Sequence, residues 1–90
     1  AMTTSCKYQQ FVCEPIGCKD VTALAGISCV LGCRLRRRGY GTAYSMLGRY
    51  IQLCRDPCAF RCWMQNICGA NFKQACDCYR CLNDWYTCFN

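Results

Sequence analysis

An all-α fold, a small disulfide-rich domain of four helices, is what this sequence predicts. Three observations carry the prediction. Thirteen of ninety residues are cysteine, apolar residues recur every three and four positions, and helix-start and helix-stop residues punctuate the chain from Asp20 onward. Cysteine above about 8–10% of a short chain marks a disulfide scaffold. Ninety residues make one domain, residues 1–90, with a core small enough that cross-links would supply much of its stability.

The first nineteen residues, with Cys6, Cys13 and Cys18 around Pro15 and Gly17, read as an irregular, tethered segment. Asp20 then offers an N-cap for a helix running to about Arg38, with Val21, Leu24, Ser28, Leu31 and Leu35 along one side. Gly26 and Gly32 weaken that helix by about 1 kcal/mol each relative to alanine. Arg34, Arg36, Arg37 and Arg38 fill its last turn, where positive charge suits the helix dipole, and Gly39 and Gly41 end it. Thr42 caps a second helix, Ala43 to about Arg55, whose apolar stripe is Met46, Leu47, Tyr50, Ile51 and Cys54. Asp56-Pro57 is a restart, an N-cap followed by proline at the first helical position; the third helix runs to Cys68 and Gly69 stops it. Asn71 caps the fourth, from Phe72 to about Cys88. No stretch alternates well enough to read as a strand.

Spacing suggests how the cysteines are used. Cys29 and Cys33 lie one helical turn apart, as do Cys54, Cys58 and Cys62 in series, so each set faces one way and can be laddered to a neighbour. The expected internal bridges draw on Cys29, Cys33, Cys54, Cys58, Cys62, Cys68, Cys76, Cys78, Cys81 and Cys88. An odd total leaves one sulfur over, which predicts a covalent homodimer; Cys6, Cys13 and Cys18, outside the ladder, are the candidates for the interchain bridge. The alternative is a monomer with one free thiol. The fourth helix carries two apolar faces, Phe72, Cys76, Tyr79 and Tyr86 on one and Cys78, Cys81, Trp85 and Cys88 on the other. It is therefore either central in its own domain or covered by a second copy.

Several chemistries are disfavoured. Histidine is absent, which removes the commonest general base and a common zinc ligand. Cys76-x-Cys78-x-x-Cys81 has the density of a thiolate cluster, yet one C-x-x-C inside a helix predicts neither a metal site nor any other cofactor. A redox role for Cys78-Tyr79-Arg80-Cys81 would need a preceding strand. Glu14, Asp20, Asp56, Asp77 and Asp84 form no catalytic pattern, and Ser5, Ser28 and Ser45 lack a base, so the chain is expected not to be an enzyme.

Net charge is +6, which favours acidic partners. Disulfides require an oxidising compartment, and the chain opens Ala1-Met2 without a leader, so the expectation is a mature, secreted, extracellular protein with no nucleic-acid partner. The run Arg34-Leu35-Arg36-Arg37-Arg38, with Tyr40 and Tyr44 beside it, is the sharpest charge feature. It reads as a solvated helix end, as a contact patch for carboxylates or phosphates, or as a basic cleavage site. Among the aromatics, Phe72 and Tyr50 read as core, while Trp63 and Phe60 are left open between core and binding surface.

Cys58 to Cys68 and Cys78 to Cys88 are both C-x9-C, a spacing that resembles the twin C-x9-C hairpin of mitochondrial intermembrane-space proteins. That resemblance implies Cys58–Cys88 and Cys68–Cys78 pairing in an antiparallel hairpin. In length, cysteine number, cysteine parity and helical spacing over residues 20–88, the chain resembles the con-ikot-ikot toxins of cone snails and the saposin-like large conotoxins, although it lacks the adjacent Cys-Cys pairs of the con-ikot-ikot pattern. The resemblance implies a non-enzymatic venom toxin, a dimeric ligand that clamps the ectodomain of a neuronal membrane receptor or ion channel such as an ionotropic glutamate receptor. Arg34, Arg36, Arg37, Arg38, Tyr40 and Tyr44 would be the receptor contact. Two alternatives accompany it: a saposin-like lipid-binding protein acting on an anionic membrane through the basic run, Trp63 and Phe60, and a secreted pathogen or parasite effector.

Overall fold

A computed structural model describes residues 6–89, with side chains from Tyr8 to Phe89. The described chain is all-helical: α1 Cys6–Cys13, a 3-10 turn Val21–Ala23, α2 Cys29–Arg37, α3 Ala43–Gln52, α4 Pro57–Cys68 and α5 Phe72–Phe89. The later boundaries follow from local chemistry. Thr42 Oγ1 accepts from Ser45 N at 3.1 Å and Ser45 Oγ accepts from Thr42 N at 3.4 Å, a reciprocal cap on α3. Asp56 Oδ2 accepts from Ala59 N at 3.0 Å, with Pro57 at the first helical position of α4. Gly69, at φ +71°, closes α4 in the left-handed conformation that glycine adopts without a Cβ penalty. At α5, Gln74 N donates to Asn71 Oδ1 (2.8 Å) and Asn71 N donates to Gln74 Oε1 (2.9 Å).

Three expectations fail here. The segment before residue 20 is not wholly irregular: Cys6–Cys13 is helical. Tertiary burial explains it, because Phe11 is packed into the core beside Trp85, with ring centroids 6.4 Å apart, and Trp85 Nε1 donates to the Glu14 carbonyl at 2.8 Å. Neither contact is visible in a local pattern. The single helix expected from Asp20 to Arg38 is instead a 3-10 turn, a hairpin and α2. Gly26 adopts φ +83°, and Ser28, expected in the apolar stripe, is the N-cap of α2, its Oγ accepting from Leu31 N at 3.4 Å. The second helix stops at Gln52 because Cys54 and Arg55 both take φ +59°. This left-handed pair of non-glycine residues is held by Arg55 N donating to Tyr50 O (3.0 Å) and Tyr79 Oη donating to Arg55 O (2.5 Å).

The core gathers Phe11, Val21, Leu24, Ile27, Leu31, Leu35, Met46, Tyr50, Phe60, Met64 and Leu82. Helix α5 is central: α1 and α4 both pack on it, and α3 touches it. That accounts for its two apolar faces within one chain. Tyr50 is core as expected and so is Phe60, whereas Phe72 is 73% exposed and belongs to the surface. A membrane-active surface built on Phe60 is therefore excluded by its burial, and no described helix is long and apolar enough to cross a membrane.

The disulfide framework is the largest correction. Cys29, Cys33, Cys54, Cys58, Cys62, Cys68, Cys76 and Cys88 are free thiols, and no disulfide forms among the described cysteines. Cys78 and Cys81 are buried in the core side of α5, doing the work of small apolar residues. Cys13 and Cys18, expected to bridge two copies, are exposed free thiols; the side chain of Cys6 lies outside the described residues. One-turn spacing aligns thiols along a helix but does not bring a second helix's thiols to the few ångströms a bridge demands. With no disulfide among the described cysteines, the parity argument for a covalent dimer loses its premise, which was that every thiol is oxidised.

Candidate functional site

The hairpin between the 3-10 turn and α2 is assembled by two close approaches. A Cβ at Gly26 would sit 2.5 Å from the carbonyl oxygen of Gln74, so the hairpin lies directly on the first turn of α5. A Cβ at Gly32 would sit 2.6 Å from Thr22 Cγ2, so α2 lies directly on the 3-10 turn. Asp20 secures the start: its Oδ2 accepts from Thr22 N (3.1 Å), Thr22 Oγ1 (2.6 Å) and Arg36 Nη2 (2.7 Å). The Thr22 hydroxyl, the Thr22 amide and Arg36, in that order, hold the Asp20 carboxyl down to about 2. Asp20 also bridges Thr42 in antiparallel fashion, tying the turn to the start of α3.

The outcome is a groove of about 470 Å³ lined by Gly26, Ile27, Ser28, Asn71, Lys73, Gln74 and Asp77. Two helix N-termini open on it, that of α2 behind Ser28 and that of α5 behind Asn71. Amide hydrogens at a helix start point outward and carry the positive end of the dipole, so the groove favours an anion. Lys73 stands at its rim. Its side chain is 83% exposed and its ammonium pairs with Asp77 at 3.2 Å, a surface contact weak enough to yield to a stronger anion.

The members of the arginine run differ in their contacts. Arg34 Nη1 donates to the Cys68 carbonyl at 3.0 Å, covering the C-terminal end of α4. Arg36 is held by Asp20, while Arg37 and Arg38 are exposed. Tyr40 turns inward, edge-on to Trp63 at 4.9 Å, and Tyr44 is exposed on α3. Of the six residues expected to act together, Arg34, Arg36 and Tyr40 also hold contacts within the chain, and Arg37, Arg38 and Tyr44 are exposed. The groove itself escaped the sequence reading, although its signals are present: Gly26 in the middle of an apolar stretch, Ser28 two residues on, and the pair Asn71 and Gln74.

A family model for barrier to autointegration factor matches residues 2–89. The barrier-to-autointegration factor of Homo sapiens is 49% identical over 88 residues, covering 98% of this chain and 99% of that protein. That of Drosophila melanogaster is 52% identical over 82 residues, 91% of each chain, and that of Danio rerio 51% identical over 83 residues, 92% of each. The chain belongs to the barrier-to-autointegration factor family.

Barrier-to-autointegration factors are non-enzymatic, as the absence of a catalytic pattern suggested. Membership overturns the toxin resemblance, which rested on length, cysteine number and helical spacing without a shared motif. The receptor or ion-channel partner, the venom role, the lipid-binding and effector alternatives and the secreted location fall with it. The exclusion of nucleic acid is also reversed. Its premise was an oxidised scaffold, and no disulfide forms among the described cysteines.

Proposed function

We propose that this chain is a non-catalytic DNA-binding protein that grips the phosphate backbone of duplex DNA at the groove between the Gly26 hairpin and the start of α5. The observation that carries this reading is the convergence of two capped helix N-termini, with Lys73 beside them, in a chain about half identical to proteins named for autointegration, a DNA reaction. Backbone amides and a lysine recognise phosphate rather than base edges, so binding is expected to be largely indifferent to sequence. The net charge of +6 adds long-range attraction. Arg37 and Arg38, exposed at the far end of α2, contribute to that field. Unbridged thiols suit the reducing interior of a cell, where such a target lies.

Fluorescence anisotropy with labelled duplexes of unrelated sequence tests the reading. Wild-type protein should bind all of them with similar affinity, weakening steeply with salt. Lys73→Ala should weaken binding uniformly and lower the slope of log K against log salt by about 1. Salt-insensitive binding, or an unchanged Lys73→Glu variant, removes the groove from the function.

A further inference from the structure

We propose that Cys58 and Cys62 form a two-thiolate site for cuprous ion on α4, a function separate from the DNA groove. Both cysteines are exposed and one turn apart in α4, where Cβ atoms lie about 5–6 Å from each other, close enough for two flexible thiols to close on one ion. Both line one groove of about 280 Å³ between α4 and the first turns of α5, together with Arg61, Gln65, Phe72 and Ala75.

The arrangement differs from a chance pair of thiols in having a cation attached to sulfur. Arg61 Nη2 donates to Cys58 Sγ at 3.4 Å, and the same guanidinium lies 5.0 Å from the centre of the Phe72 ring. Stacking fixes the arginine beside the sulfur, and this is the outer-shell support that tunes a thiolate ligand. Cys29 and Cys33 have equal spacing on α2, but Arg34 next to them is directed to the Cys68 carbonyl.

Ligand number selects the ion. Among the described residues no group of three or more His, Cys, Asp and Glu side chains comes together to hold a metal. Zinc, which takes four ligands in structural sites, is poorly served. Cuprous ion is soft, prefers thiolate and is satisfied by two ligands. Binding is balanced as two thiols plus one Cu(I) giving a bis-thiolate copper complex of charge −1 and two released protons, with copper remaining Cu(I) and no sulfur oxidised. Arg61 supplies the compensating positive charge.

The test is an anaerobic titration of the fully reduced protein with Cu(I) presented as a competing chelator complex, read by copper transfer and by X-ray absorption. Wild type is expected to remove one tightly held equivalent that Cys58→Ser/Cys62→Ser lacks, with copper seeing two sulfur neighbours. Either single serine variant should lose the same equivalent, which covers poor folding of the double variant. Arg61→Gln should weaken it about tenfold, and Cys29→Ser/Cys33→Ser should retain it. DNA binding measured on the same samples keeps this result independent of the groove. An unchanged copper equivalent in Cys58→Ser/Cys62→Ser, or copper bound by three or more sulfurs at this site, overturns the proposal.

Discussion

Gly26 and the carbonyl of Gln74 approach so closely that even one methyl group between them would fall 2.5 Å from the oxygen. Because Gly26 also sits at φ +83°, an L-side chain there meets both backbone strain and a rigid obstacle. This contact joins the hairpin to α5 and so brings the two helix N-termini to one groove. Gly26→Ala is expected to destabilise the protein by about 2 kcal/mol or more and to weaken DNA binding beyond that loss. Urea unfolding should show a lower midpoint with an unchanged slope. A midpoint equal to wild type would mean that the hairpin docks elsewhere.

Alkaline stability should report on Tyr50. It is fully buried, its hydroxyl donates to Asn83 Oδ1 at 2.6 Å, and burial pushes its ionisation up to about 12 from 10.0. A raised value means the folded state favours the neutral phenol. The benefit is complete below pH 10, where both states are protonated, and is lost as pH climbs from 10 through about 12. Two pH units correspond to about 2–3 kcal/mol. Tyr50→Phe should flatten that alkaline fall. At neutral pH it should cost about 1–2 kcal/mol, because Asn83 loses its donor.

Acid has the opposite sign at Asp20. Its carboxyl titrates at about 2 rather than 3.8, held chiefly by the Thr22 hydroxyl and amide, then Arg36. The stabilising effect is present above pH 3.8 and disappears as pH falls through about 2. Asp20→Asn keeps a capping oxygen but removes the charge, so its stability should vary less across that window. Parallel acid titrations of both proteins by circular dichroism would decide; identical curves would rule Asp20 out.

Thiol chemistry offers a direct check on the fold. Cys68 is buried, its thiol is pushed up by burial, and its Sγ donates to the Met64 carbonyl at 3.3 Å; Cys78 and Cys81 are buried as well. An aromatic disulfide reagent should modify Cys13, Cys18, Cys29, Cys33, Cys54, Cys58, Cys62 and Cys88 rapidly in native protein. Those three buried cysteines should react only on unfolding. Reductant should leave the melting temperature unchanged, whereas a bridged protein would lose about 2–4 kcal/mol per bond.

Local signals explain what was legible. Thr42, Asp56-Pro57, Gly69 and Asn71 each act on backbone groups within four residues, so their meaning does not depend on the rest of the chain. The start of α3, both ends of α4 and the start of α5 follow from them. Gly26 and Ser28 carried an equally local message, but it was outweighed by the helical spacing of Val21, Leu24, Leu31 and Leu35, which continues across the hairpin because both arms face the same core.

By itself the sequence determined that the chain is helical and where most of its helices begin, because capping is short-range chemistry. Only the tertiary structure decided what the described sulfurs, the arginines and α1 do. A disulfide needs two distant segments to meet within a few ångströms. Arg34 and Arg36 are committed to partners thirty-four and sixteen positions away, and α1 finds its apolar cover on α5. Those are relations between segments, and composition records residues without recording their neighbours.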